Sequence, residues 1–114
     1  MKVQDLAQLE ALQEVVPSSE PDTELTQPYC CDLLSVAMRD APDGGVWCTV
    51  MNNINTLAVA ALTETACVVL CGGIPVNPDV LKKAQEQEIC LFTTELNEFE
   101  AALEVYKYIN DPSL

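Results

Sequence analysis

Two adjacent glycines after an apolar run form the first group of residues whose types and spacing could bind a ligand. Gly72 and Gly73 end that run, and Asn77-Pro78-Asp79 then starts a helix whose backbone N–H groups would be able to receive an anion. The loop has neither the repeated glycines nor the Gly-Lys-Ser/Thr ending of a phosphate cradle. Gly72 and Gly73 are predicted as ligand-binding or interaction residues, with a tight turn as the competing interpretation.

Side-chain amides, a carboxylate and a hydroxyl form two further groups of this kind. Asn53 and Asn55 fall between a predicted strand and a predicted helix, where amides could bind a polar ligand. Asp32 and Ser35 open an earlier helix, but two oxygens do not make a magnesium or calcium site. Helix capping is the competing interpretation for both groups. These residues complete the predicted interaction surface, and no residue is predicted to bind a metal.

The sequence lacks the residue types that most catalytic sites need. None of its 114 residues is histidine, so the commonest general base and the commonest metal ligand are absent. Ser–His and Cys–His nucleophile pairs are therefore impossible within the chain. No pair of acidic residues is flanked by features that would separate their pKa values, so paired-carboxylate catalysis is not expected. The sequence predicts no catalytic residue and a protein that is not an enzyme.

Six cysteines are spaced in a way that favours packing over chemistry. No two are separated by only two residues, which is the spacing of many zinc and iron–sulfur sites. Buried structural thiols are expected, and metal binding or redox use is the alternative. Because the N-terminus carries no secretion signal, we expect reduced thiols and a cytoplasmic protein. The cysteines are Cys30, Cys31, Cys48, Cys67, Cys71 and Cys90.

The charge of the chain limits its expected partners. Five basic residues oppose eighteen acidic ones, which gives a net charge of −13. Such a surface repels phosphate backbones and anionic lipid headgroups, so neither nucleic acid nor a membrane is an expected partner. No apolar stretch approaches the roughly 18 residues that indicate a transmembrane helix. The simplest role of this charge is to keep a small protein soluble.

The apolar pattern places these groups on a run of alternating strands and helices. A helix is predicted from Lys2 to about Leu12, a short strand follows, and residues 17–28 are predicted as an exposed loop. From Tyr29 onward strands alternate with helices, and the apolar run 66–71 is typical of a central parallel strand. This order predicts an α/β fold with a mostly parallel sheet. The last helix has an apolar stripe at the spacing of a core-facing side, made of Phe99, Ala102, Leu103 and Tyr106.

Ordered segments between Tyr29 and about Thr94 resemble the DRTGG domain family. The naming motif of that family is degenerate here, because only Gly72 and Gly73 remain of it. A histidine that free-standing relatives often carry is Asn53 in this chain. The segments that carry the resemblance are Tyr29–Ser35, Val46–Thr49, Asn53–Ala60 and Val68–Gly73, followed by the helix at Pro78 and the strand at Ile89.

This resemblance implies a fold and a class of function. It implies a three-layer α/β/α sandwich similar to the N-terminal domain of HPr kinase/phosphorylase, commonly homodimeric and without established catalysis. Similar domains are appended to phosphate acetyltransferases and CBS-containing pyrophosphatases, where they act in regulation or dimerisation. Free-standing members from anaerobic bacteria are often encoded near iron-only hydrogenase or NADH-oxidising subunits, and some are labelled iron–sulfur-binding.

The residues and the resemblance together predict one DRTGG-like domain over residues 1–114. Its expected function is that of a non-catalytic regulatory or protein-interaction domain without a cofactor. The expected partners are a second copy and, from the resemblance, hydrogenase or NADH-oxidising subunits. A small-ligand sensor for nucleotides or acyl phosphates is the first alternative. An iron–sulfur-binding hydrogenase-associated protein is the second.

Overall fold

The computed structural model describes residues 1–110, in which five strands form one sheet in the order β1-β5-β4-β3-β2. β1 runs antiparallel to β5, and the other neighbouring strands are parallel. The strands are β1 (Gln13–Val16), β2 (Pro28–Cys30), β3 (Val46–Thr49), β4 (Cys67–Leu70) and β5 (Leu91–Thr93). The α-helices are α1 (Leu34–Asp40), α2 (Ile54–Leu62), α3 (Pro78–Glu86) and α4 (Glu98–Asn110). The predicted mostly parallel α/β sheet is confirmed.

β4 lies at the centre of the sheet, as its unbroken apolar run predicts. All four of its residues are buried, and Val68 and Val69 pair in register with Trp47 and Cys48 of β3. A strand with neighbours at both edges and helices on both faces has no side that needs polar residues.

Helices cover both faces of this sheet. On one face, Trp47 packs in a core with Leu57 of α2 and Val80 of α3. On the other face, Cys48 packs in a second core with Val105 of α4. Trp47 and Cys48 belong to different cores because successive side chains of a strand point to opposite faces. The predicted three-layer α/β/α sandwich is therefore confirmed.

The N-terminal segment is shorter than the predicted helix. It forms a 3₁₀ helix over Val3–Gln8, and because the chain then turns directly into β1, a longer helix has no room. The backbone N–H of Val3 donates to the carbonyl of Thr23 (2.8 Å), so the N-terminus is held by the 17–28 loop. Most side chains of that loop are exposed, but Leu25 is buried in the core.

The side of α4 that packs against the sheet differs from the predicted stripe. Ala101 and Val105 are fully buried, whereas Phe99 is 72% exposed and Tyr106 is 56% exposed. The small side chain of Ala101 lets α4 lie close to β2 and β3, and the larger apolar side chains then point away from the sheet. The predicted core stripe is therefore wrong for all its members but Ala102, which packs against the core. Three of its members form an exposed surface, called here the α4 stripe: Phe99, Leu103 and Tyr106.

The longest helix is α4, with 13 residues. It extends to Asn110. The sequence Asn110-Asp111-Pro112 predicts the end of this helix, and Asp111 and Pro112 lie outside the described residues. Within residues 1–110, no helix has the length and apolar character needed to cross a membrane.

Candidate functional site

The predicted site residues lie at one edge of the sheet, because parallel strands all end on the same side. The connections that leave β2, β3 and β4 at this edge lead into α1, α2 and α3. Ligands of open α/β sheets bind at this edge, so it is the first place to look for function. The residues placed there are Asp32, Ser35, Asn53, Asn55, Gly72 and Gly73.

Asp32 joins the ends of β2 and β3 and does not cap a helix. Leu33 holds the N-cap position of α1, and no side chain caps that helix. Oδ1 of Asp32 instead accepts hydrogen bonds from the buried Thr49 hydroxyl (2.7 Å) and the Val50 backbone N–H (3.0 Å). The predicted capping interpretation is wrong because a carboxylate just beyond β2 lies beside the last residues of β3, whose donors it satisfies.

Glu98, the first residue of α4, forms an acid pair with Asp32. Burial and a hydrogen bond to Asp32 raise the pKa of Glu98 to about 8. Burial acts to raise the pKa of Asp32 as well, but hydrogen bonds with Glu98, Thr49 and Val50 hold that pKa below its usual value. At neutral pH, Glu98 therefore carries the proton that the two carboxyl groups share. The expectation that no acidic pair has separated pKa values is wrong. Asp32 and Glu98 are far apart in the sequence and come together only when the chain folds.

Cys30, the last residue of β2, is an exposed thiol beside this acid pair. Its Sγ lies 3.6 Å from the carbonyl oxygen of Glu98. Hydrogen bonding with Cys48, its register partner in β3, lowers the pKa of Cys30 to about 7. Cys30 is exposed because β2 is an edge strand, so the expectation of a buried thiol is wrong for this residue. The cysteines of the other apolar runs are buried, as predicted: Cys48, Cys67, Cys71 and Cys90.

Asn53 caps α2, which confirms the capping interpretation for this residue. Its Oδ1 accepts hydrogen bonds from the backbone N–H groups of Asn55 (3.0 Å) and Thr56 (3.2 Å). Asn55 itself is exposed in the first turn of the helix. The Asn53 oxygen is thus already engaged, so a ligand would have to bind through other atoms of this loop.

A pair of asparagines ties the loop after β3 to the loop after β4. Nδ2 of Asn52 donates to the carbonyl of Pro75 (2.8 Å), and Nδ2 of Asn77 donates to the carbonyl of Asn52 (2.7 Å). Asn77 holds the N-cap position of α3 without a side-chain cap, and Pro78 takes the first helical position as predicted. These bonds fix two strand-end loops relative to each other.

Gly72 and Gly73 form a tight turn whose N–H groups are already used. Both have positive φ (90° and 71°), which glycine adopts readily. The N–H of Gly72 donates to the carbonyl of Leu96 (2.8 Å), and that of Gly73 donates to the carbonyl of Thr94 (2.9 Å). The Glu95 carboxylate lies where a Cβ of Gly73 would be. An anion at this turn would therefore meet negative charge and no free N–H from either glycine.

A cleft of about 450 Å³ opens beside this turn. Gly73 and Thr94 line it, together with the carboxylates of Glu10 and Glu95. Its volume is in the range of small-ligand sites, which is roughly 300–1,000 Å³. The two carboxylates favour a cationic or metal-complexed ligand over a free phosphate.

The thiols do not assemble into a metal site. Within residues 1–110, no three Cys, Asp or Glu side chains come together in a way that could hold a metal ion. The cysteines fall into separate groups, since the Cys90 thiol raises the pKa of Cys67, whereas the Cys30 and Cys71 thiols raise the pKa of Cys48. The ligand set of an iron–sulfur cluster is not formed in this part of the fold.

Sequence reasoning missed three residues of this edge: Thr49, Cys30 and Glu98. The signal for Thr49 was available, because it is a polar residue at the end of an otherwise apolar strand. Glu98 gave no signal, because it is one of several acids in its helix. The residues together can hold or release a proton and can present amides and a reactive thiol.

The fold and this edge define the class of protein: a small α/β domain whose polar strand-end loops gather at the carboxyl edge of a mostly parallel sheet. The family model described as the DRTGG domain matches residues 44–108, which is more than half of the chain. The chain therefore belongs to the DRTGG domain family. The matched residues include Asn53, Asn55, Gly72 and Gly73, and they begin after Asp32 and Ser35.

One solved structure similar to this chain is described as the CBS and DRTGG domains of the regulatory region of Clostridium perfringens pyrophosphatase, complexed with the activator diadenosine tetraphosphate. It matches with a TM-score of 0.72 and 11% sequence identity, over 89% of this chain and 44% of that chain. At this identity the similarity shows the fold alone, and this chain spans less than half of the matched one. Among curated proteins, none matches the sequence.

Proposed function

We propose that this chain is a non-catalytic regulatory domain that acts as a homodimer through the α4 stripe. The observation that carries the proposal is the exposure of Phe99, Leu103 and Tyr106 on one side of the longest helix. They lie at i, i+4 and i+7, so they form one continuous apolar face. An exposed apolar face of this kind marks an interaction surface.

A second copy of the chain is the partner that fits this stripe best. In a two-fold symmetric interface the same patch meets itself. With the axis perpendicular to the helices, two α4 helices would cross antiparallel near Leu103. Lys107, in the last turn of one helix, would then lie near the acidic first turn of the other, which contains Glu100. Opposite charges and antiparallel helix dipoles both favour this arrangement. An equally acidic partner without Lys107 would lack this pairing.

The regulatory part of the proposal connects the stripe to the strand-end edge. Phe99 follows Glu98, and Glu98 shares a proton with Asp32 at the end of β2. A ligand or partner that binds at the strand ends would therefore act on the first turn of α4. Family membership supports this role, because the similar solved structure belongs to the regulatory region of another protein.

Sedimentation or light scattering of the purified chain tests the dimer. At a concentration on the order of 10 μM, which detects a Kd of that size, the wild type should have the mass of a dimer. Phe99→Ser and Tyr106→Ser should shift the mass to that of a monomer. Leu62→Ser is the matched control, because Leu62 is 69% exposed at the far end of α2. A monomeric wild type, or equal effects of all three variants, would refute the proposal.

A small-ligand sensor is the second candidate function. The cleft of about 450 Å³ beside Gly73 favours it, as does the nucleotide activator bound to the similar solved structure. Glu10 and Glu95 in the cleft and the engaged N–H groups of the glycines count against a free phosphate ligand. Thermal-shift assays with diadenosine tetraphosphate, ATP and acetyl phosphate, with and without Mg²⁺, test this function, since a specific ligand stabilises the folded state.

Hydrogenase or NADH-oxidising subunits are the outside partners that the family resemblance proposes. A direct assay is binding of purified subunits to the immobilised chain, with Phe99→Ser and Asp32→Asn locating the surface used. Six cysteines without a disulfide support a reducing compartment, and the location proposed for this domain is the cytoplasm. A lack of binding by the purified subunits would remove this partner without affecting the homodimer.

A further inference from the structure

Two thiols face each other across the β2–β3 pair at the edge of the sheet. Cys30 and Cys48 are register partners, so their side chains project from the same face. Cys30 is exposed and Cys48 is buried behind it. We propose that they form a peroxide-reactive pair, in which Cys30 is oxidised first and Cys48 then closes a disulfide with it.

The backbone geometry suits a disulfide between these residues. Neighbouring strands lie about 4.8 Å apart, and the Cα atoms of bonded cysteines are usually about 4.4–6.8 Å apart. β2 has three residues and no neighbour on its outer side within the described sheet. It can therefore adjust toward β3 without disturbing another strand.

The groups around Cys30 favour its thiolate, the form that attacks peroxides. Hydrogen bonding with Cys48 lowers the pKa of Cys30 to about 7, and this outweighs burial and the charge of Asp32, which act to raise it. Glu98 of α4 also faces Cys30, but its pKa of about 8 keeps it mostly protonated at neutral pH. Among residues 1–110, Asp32 is thus the charged carboxylate that acts on the Cys30 thiol.

The oxidant is hydrogen peroxide or an alkyl hydroperoxide, and the reaction has two steps. The Cys30 thiolate attacks one peroxide oxygen: an S–O bond forms, the O–O bond breaks, and the leaving hydroxide or alkoxide takes a proton from solvent. The sulfur of Cys48 then attacks the sulfenic sulfur of Cys30: the S–S bond forms, the S–O bond breaks, and hydroxide leaves as water with the Cys48 proton. The two thiols lose two electrons, and the peroxide is reduced.

The order of the two steps follows from the state of Cys48. Hydrogen bonds with Cys30 and Cys71, together with burial, raise the pKa of Cys48 in the reduced protein. A sulfenic acid at Cys30 no longer carries the thiolate charge, so the largest cause of that raised pKa is removed. Oxidation of Cys30 therefore favours the attack by Cys48, although Cys71 and burial still act to raise the pKa of Cys48.

Peptide mapping of the full chain after peroxide treatment tests the proposal. The wild type should lose the mass of two hydrogen atoms and give a Cys30–Cys48 linked peptide. Cys30→Ser should abolish the link, whereas Cys31→Ser, which changes the adjacent half-buried thiol, should leave it intact. A link through Cys31, a disulfide between chains, or an unlinked sulfinic acid at Cys30 would overturn the proposal.

Two further measurements test the sulfenic acid intermediate and the activation of Cys30 separately. Cys48→Ala should leave a sulfenic acid at Cys30 that dimedone traps, and circular dichroism establishes whether this variant folds. If this variant does not fold, the pH dependence of Cys30 alkylation in the wild type tests the activation of Cys30 instead. The rate of Cys30 alkylation should have its pH midpoint near 7. A midpoint of about 8.5, the value of an ordinary thiol, would contradict the proposed activation of Cys30.

Discussion

The carboxyl groups of Asp32 and Glu98 interact where the β2–α1 connection meets the first turn of α4: Asp32 raises the pKa of Glu98, and Glu98 lowers that of Asp32. Asp32 is also the acceptor for the Thr49 hydroxyl and the Val50 N–H, so it contacts the ends of β2, β3 and α4 at once. A hydrogen bond between two carboxyl groups requires one proton. The link between the strand ends and α4 therefore depends on pH.

We expect the free energy of unfolding to fall as the pH rises from 5 to 7 through the titration of Glu98. The pKa of Glu98 is about 8 in the folded protein and about 4.3 in an unfolded chain. The folded state therefore binds more protons in this window, so rising pH favours unfolding. Glu98→Gln should remove this slope, because an amide donates to Asp32 at every pH. Urea unfolding at several pH values measures it.

Glu14→Gln is the matched control for this experiment, because Glu14 is exposed on β1, far from α4 in the fold. It should keep the slope of the wild type. Near pH 8, Glu98→Gln should be more stable than the wild type by about 1 kcal/mol, the usual net value of one hydrogen bond. A Glu98→Gln slope equal to that of the wild type would show that the acid pair does not titrate as described.

Asp32→Ala should destabilise the domain by about 1–3 kcal/mol, because it leaves the buried Thr49 hydroxyl and the Val50 N–H without their acceptor. Ser35→Ala, three residues later, should change stability by less than about 0.5 kcal/mol, since an exposed side chain is replaced. Urea unfolding compares the two. Equal losses of stability in the two variants would show that the Asp32 carboxylate has no special role in joining the strand ends.

Most of the fold was predictable from short-range patterns, and the predictions that were wrong failed for physical reasons. The apolar run of β4 and the alternation after Tyr29 predicted the parallel sheet correctly. In α4, several apolar residues compete for the inner side, and periodicity alone does not choose between them. The close approach that Ala101 permits decides the outcome, and Phe99 is left outside. Which side of α4 packs inward therefore depends on its contacts with the neighbouring strands.

The candidate site was predictable only where its contacts are local. Asn53 caps the helix that begins next to it, so its role follows from adjacent residues. The Asp32–Glu98 pair joins residues at opposite ends of the chain, and the Cys30–Cys48 pair depends on the strand order and register. The spacing of residues along the sequence does not indicate contacts between such distant positions. The sequence did indicate which polar residues follow the strands, and the structure brings these residues to one edge of the sheet.

Asn53→Ala should lower stability by about 1 kcal/mol, the usual loss for an N-cap. The reason is that the N–H groups of Asn55 and Thr56 lose their shared acceptor. For a domain of this size the melting temperature should fall by about 4–8 °C. Asn55→Ala is the control and should have little effect, because Asn55 is exposed and alanine favours helices. A larger loss of stability for Asn55→Ala than for Asn53→Ala would show that Asn53 is not the residue that caps α2.

Gly73→Ala should cost more stability than Gly72→Ala, although both glycines have positive φ. The left-handed conformation costs alanine about 1–2 kcal/mol at either position. At Gly72 the new Cβ enters open space, whereas at Gly73 it meets the Glu95 carboxylate. Adding Glu95→Ala should therefore recover the excess loss of Gly73→Ala and leave Gly72→Ala unchanged. A double-mutant cycle measures this coupling, expected at about 0.5–1 kcal/mol, and a coupling of zero would show that Glu95 does not restrict the turn.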